Sequence, residues 1–134
     1  MNIFTSEQEL AFLIQLREVT EAGTLRWNQT GSQVFTFHAK TKRFAYSLAS
    51  KDQDDVHPFW LVLYSQPVSS ASKPIHEIES EQLTDTEALA ELSGLYGLVK
   101  RTVLRLDDLS KEVFEDLDAL SNGVDPVYGD EEPF

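Results

Sequence analysis

Residues 33–50 read QVFTFHAKTKRFAYSLAS, and through most of this stretch apolar and polar side chains alternate. A period of two is the mark of a strand, whose successive side chains point to opposite faces. The runs Gln33 to Ala39 and Lys42 to Ser50 flank Lys40-Thr41, so the spacing predicts an antiparallel hairpin. With Lys40-Thr41 as the turn, Phe37 falls opposite Phe44 and Phe35 opposite Tyr46, while His38 meets Arg43 and Thr36 meets Ala45. One face of the ribbon is then aromatic and the other polar, which is the pattern of a sheet with helices packed on one side. Lys-Thr does not supply the left-handed residues that two-residue hairpin turns favour, and a longer loop is the alternative.

Outward from the hairpin, Leu25 to Asn28 and Phe59 to Ser65 read as further strands, and Ile75 to Ser80 as a fifth, at an edge guarded by Glu77 and Glu79. The run Phe59-Trp60-Leu61-Val62-Leu63-Tyr64 is apolar at both parities, so its strand is either covered on both sides or presents its second face to a partner. Before the strands, Ser6-Glu7-Gln8-Glu9 has the capping-box spacing, and Leu10, Leu13, Leu16 and Val19 form a helical stripe ending near Gly23. After them, Thr84-Asp85-Thr86-Glu87 repeats the box before Leu89, Leu92, Leu95, Tyr96, Val99 and Val103, the longest helix. A break is expected at Asp107-Asp108, then a helix from Ser110 with Val113, Phe114, Leu117 and Leu120 pointing inward, closed by Asn122-Gly123.

The expected fold class is therefore α+β: an N-terminal helix, a four- to five-stranded antiparallel meander and two C-terminal helices on one face. Residues 1–123 form a single domain in this reading, and 124–134 an acidic flexible tail. The order of elements, with Leu25-Arg26-Trp27 ahead of the meander and Leu95-Tyr96-Gly97-Leu98-Val99-Lys100-Arg101 in the long helix, resembles short bacterial and phage proteins of helix–meander–helix form and unassigned function. That resemblance implies an α+β fold and a bacterial or phage cytosolic setting. It implies no catalytic residue.

The 134 residues hold 23 acids and 11 Lys or Arg, a net charge of -12, and the charge is not spread evenly. Residues 1–70 carry seven acids and six bases, whereas 71–134 carry sixteen and five. Such a field repels nucleic-acid backbones and anionic membrane surfaces, and favours a basic partner. Zero cysteines exclude thiolate catalysis and cysteine-held metal clusters, and fit a reducing, cytoplasmic setting. The opening residues lack a signal-peptide pattern, and no run is long and apolar enough for a membrane span.

For chemistry, Asp52, Asp54, Asp55 and His57 offer oxygen and imidazole ligands, but the EF-hand spacing fails, with His57 where glycine and Leu63 where glutamate belong. A solvated loop is the preferred reading, and no metal or cofactor is expected. His38 and His76 fall on separate strands. No Gly-x-Ser-x-Gly elbow and no glycine-rich phosphate loop occurs. The functional expectation is thus a non-enzymatic acidic protein that binds or inhibits a basic protein partner, in the manner of immunity, antitoxin or anti-defence proteins. Its candidate contact residues are Glu112, Glu115, Asp116 and Asp118 on the last helix, with the aromatic strip of Trp60 and Tyr64. The alternative is a small enzyme or ligand-binding protein with a pocket between sheet and helices.

Overall fold

The computed structural model describes residues 2–29 and 34–122; the expected tail lies outside them. The chain has an N-terminal helix, a five-stranded antiparallel sheet and two C-terminal helices, an α+β architecture. It divides after Val103 into two compact units, residues 1–103 and 104–134.

In the first unit, α1 (Ser6–Glu21) is capped by Thr5, one residue ahead of the predicted box. The Thr5 hydroxyl accepts from the Gln8 amide at 3.2 Å, and Gln8 Oε1 accepts from the Thr5 amide at 2.9 Å. Glu9, the expected box partner of Ser6, is engaged elsewhere, with His76 Nε2 at 2.7 Å. Gly23 takes φ +76 just past the helix, the left-handed conformation for which glycine is suited.

The strands β1 (Trp27–Gln29), β2 (Thr36–Lys40), β3 (Phe44–Ser50), β4 (Phe59–Ser65) and β5 (His76–Glu79) run in the order β1-β2-β3-β4-β5. The β2–β3 register differs from the one predicted: Phe37 pairs with Leu48 and Ala39 with Tyr46. The turn is Lys42-Arg43, two residues later than expected. Thr41 closes it, its amide donating to the Phe44 carbonyl at 2.8 Å and its Oγ1 accepting from the Phe44 amide at 3.2 Å. Neither Lys42 nor Arg43 has positive φ, so this is not one of the primed turns, and the Thr41 hydroxyl supplies an extra acceptor that holds it. The slip is an even four residues. Every side chain therefore stays on its predicted face although its partner changes.

On the helix-facing side, Phe37, Leu48, Leu61 and Ile78 form a row across four strands, all essentially buried. Leu13 and Leu16 of α1 join this row in one core with Ala88, Leu92, Leu95, Tyr96 and Val99 of α2 (Thr86–Val103). Asp85 caps α2 by accepting from the Glu87 amide at 2.9 Å. Trp27 shows how α1 is fixed to the edge of the sheet. Its indole N–H donates to Thr20 Oγ1 at 3.1 Å, and that hydroxyl donates back to the Leu16 carbonyl at 2.7 Å, so both buried polar groups are satisfied.

The second unit contains α3 (Leu106–Ser121). The helix begins earlier than predicted because the break falls at Arg105, left-handed at φ 55 and ψ 41. Asp107 and Asp108 do not interrupt it. They occupy its first turn, where carboxylates complement the free amides and the positive end of the dipole.

Candidate functional site

Two surfaces stand out, one in each unit. In the first, the pairing sends Asn28, His38, Ser47, Val62 and Glu77 to the side of the sheet opposite the helices, with Lys40, Ala45 and Tyr64 in the next row. The outward residues of β3 are Ala45, Ser47 and Ala49, all small. Larger side chains stand on both neighbours, His38 and Lys40 on β2, Trp60 and Tyr64 on β4. A trough along the middle strand results.

The loop after β4 walls one end through Gln66, Val68, Ser69 and Ser72, leaving a hollow of about 970 Å³. Arg26 and Lys40 line it on the opposite wall. Extending the Trp27–Ala39 pair by one residue sets these two cations across from each other, and among the described residues neither makes an ion pair. His38 lies in the same lining, and burial lowers its tendency to take up a proton. A second hollow, of about 360 Å³, lies between α1 and the sheet margin against Phe12, Leu16, Val19 and Leu25. Its lining contains no carboxylate, imidazole or amine.

The predicted aromatic strip is on this open side. Trp60 is 36% exposed, Tyr64 is half-buried and lines the trough, and Val62 between them is covered. Three groups of the acid-rich loop 51–58, Asp54, Asp55 and His57, are fastenings, each held by a different neighbour, and Asp52 is exposed. Asp54 Oδ1 accepts from Ser50 Oγ at 3.0 Å, His57 Nδ1 meets Ser80 Oγ at 2.9 Å, and Asp55 accepts from Tyr96 Oη at 2.9 Å and from Lys100 Nζ. The sheet places His38 and His76 on opposite faces. Among the described residues no three carboxylate or imidazole side chains gather as a metal site.

Burial alone pushes the Asp55 carboxyl up, but hydrogen bonds from Lys100 and Tyr96 and the Lys100 charge outweigh it, and the net shift is downward. A depressed folded-state value stabilises the fold above the ordinary carboxylate range, and that contribution disappears as pH falls through the folded-state value. Asp55→Asn is thus expected to lower the melting temperature at pH 7, with the gap to the wild type closing below about pH 4. A gap that is constant with pH would contradict the ion-pair account.

In the second unit, Glu112, Glu115, Asp116 and Asp118 are exposed, as the sequence predicts. The apolar side of α3 does not behave as predicted. Leu109, Val113, Phe114, Leu117 and Leu120 are 38–64% exposed, and no residue of the helix is buried. At 3.6 residues per turn, Leu106, Leu109, Val113, Leu117 and Leu120 fall within an arc of about 80°, bordered on one side by Glu112 and Asp116 one turn apart. Both the stripe and the acidic border of this amphipathic helix are open to water. Periodicity locates the stripe, but the exposure of its side chains is not a local pattern and cannot be read from it.

Comparison with known proteins finds no matching family model, curated protein or solved structure.

Proposed function

We propose that this chain is a non-enzymatic, acidic interaction protein whose helix α3 docks on a basic protein partner, in the manner of immunity, antitoxin or anti-defence proteins. The observation that carries this reading is the set of five large apolar side chains of α3 left 38–64% exposed beside an acidic border. Monomeric proteins rarely leave a contiguous apolar patch uncovered, and such patches with polar rims mark binding sites. A stripe with this spacing fits an apolar groove in the helix-in-groove mode.

Charge selects the partner. Residues 106–121 hold six acids against Lys111 alone. Pairing this helix with its own copy would bring two strongly negative rims together, whereas a groove edged with Lys and Arg would gain encounter rate and register from them.

Three forms of the full chain test the reading: wild type, Val113→Gln with Leu117→Gln, and Glu112→Gln with Asp116→Asn. Both double variants should melt within about 0.5 kcal/mol per site of the wild type, since all four side chains are exposed. A polypeptide captured from native lysate is then purified, and its association is measured across a salt series. The expected results are a basic partner, at least a hundred-fold weaker binding for the apolar variant, and a lower, less salt-sensitive on-rate for the acidic variant. Equal binding by all three forms would overturn the reading, as would a self-association lost in the apolar variant, which makes a second copy the occupant.

A further inference from the structure

The trough on the open side of the sheet has a charge arrangement that partner docking by α3 does not use. Arg26, the residue just ahead of β1, falls across from Lys40 of β2 when the Trp27–Ala39 pair is extended by one position, and both are exposed. Like charges directly opposite in a sheet are destabilising. Among the described residues neither is neutralised by a carboxylate, although the chain as a whole carries 23 acids. Lys51, Lys100 and Arg17 of the same unit all have acidic partners. Two unpaired cations at the wall of a hollow are complementary to an anion.

The rest of the lining narrows the class of anion. The hollow, at about 970 Å³, is far larger than a bare ion requires and lies within the range of organic-ligand sites. Ser47 on the floor and Ser69, Ser70 and Ser72 on the loop offer hydroxyl groups that can donate. A phosphate monoester, with three terminal oxygens and up to two charges, uses an Arg fork, an ammonium and several hydroxyls more fully than a carboxylate does. Tyr64 and Val68 add a flat aromatic side chain and an apolar one beside the polar groups. Tyr64 is thereby placed to pack against a ring.

We propose that this trough binds a small aromatic phosphate ester of the mononucleotide class, with Arg26 and Lys40 holding the phosphate and Tyr64 the ring. No residue of α3 is in the lining of the trough, and a small ligand does not require the chain to bind polynucleotides, which the overall negative field opposes.

The test uses the full chain with adenosine 5′-monophosphate and inorganic phosphate as probes, read by calorimetric titration and by melting temperature at constant ionic strength. Four forms are compared: wild type, Arg26→Gln with Lys40→Gln, Tyr64→Leu, and Lys42→Gln with Arg43→Gln. The last pair is the control, because it removes the same charge at the nearby turn but lines no part of the hollow. Without ligand, the Arg26/Lys40 variant should melt at or above the wild-type temperature, since a repulsion has been removed. The wild type and the control should bind the nucleotide alike and more tightly than phosphate. The Arg26/Lys40 variant should bind both probes at least ten-fold more weakly, and Tyr64→Leu should weaken only the nucleotide. No binding of either probe by the wild type at millimolar concentration would overturn the proposal. So would equal losses in the control and the Arg26/Lys40 variant, which would reduce the effect to general charge. Phosphate binding with no gain for the nucleotide and no effect of Tyr64→Leu would overturn the assigned ligand class, leaving an adventitious ion only.

Discussion

Truncating Phe37 to alanine is expected to destabilise the first unit by about 3–5 kcal/mol, the usual cost of removing a fully buried Phe. The side chain is 0% exposed in the row it shares with Leu48, Leu61 and Ile78. Its ring meets that of Tyr96 edge-on at 5.9 Å, so the loss reaches α2 as well as the sheet. Domains of this size are stable by roughly 5–15 kcal/mol, so a loss of this magnitude lowers the urea midpoint strongly. Phe35 supplies the contrast. It precedes β2, is half-buried and lies outside the main core, so Phe35→Ala should cost clearly less. Equal midpoints for wild type and Phe37→Ala would refute the placement of Phe37 on the buried face of the sheet.

That contrast shows what the sequence could and could not reveal. Alternation in residues 33–50 determines which side chains share a face, because parity survives any even slip, and the aromatic face was legible for that reason. The pairing partners were not. They depend on where the turn closes, and the closure rests on one threonine hydroxyl at Thr41, with no Asn-Gly or Gly signal to announce it. The five strands and the two helices of the first unit were legible from period and capping residues, with starts displaced where Glu9 is drawn to His76 and Asp85 takes the cap of α2.

The two surfaces differ in the same way. For α3, the stripe and the acids at 112, 115, 116 and 118 can be read at 3.6-residue spacing, whereas coverage is a tertiary fact that no local pattern contains. The trough was not legible at all. Its cations are fourteen positions apart in a chain with no phosphate-loop motif, and only the β1–β2 register makes them neighbours. The small residues Ala45 and Ser47 on its floor look unremarkable until the larger side chains of β2 and β4 stand on either side.

His76→Leu is expected to cost about 2–4 kcal/mol, because it would strand three polar partners at once. The imidazole is 1% exposed. Its Nδ1 accepts from the amides of Ile3 at 3.0 Å and Phe4 at 3.3 Å, so the ring proton resides on Nε2, which donates to Glu9 Oε2 at 2.7 Å. Leucine fills much of the space but accepts and donates nothing. The two amides lie near the surface and can recover water if residues 2–4 lift away, which keeps the expected cost below that of three fully buried orphans. Lifting has its own consequence. Asn2 Oδ1 accepts from the Glu77 amide at 3.0 Å, so these residues cover part of the outer edge of β5, and their release would uncover an edge strand. His76→Asn separates the contributions, since its amide oxygen can replace Nδ1 while its short side chain cannot reach Glu9; it should fall between leucine and wild type. Hydrogen exchange at Ile3, Phe4 and Glu77 should speed up in the leucine variant before global unfolding, and aggregation should rise with protein concentration. Unchanged exchange at those three amides, with a melting temperature equal to the wild type, would show that the histidine does not hold the N-terminal residues against the sheet.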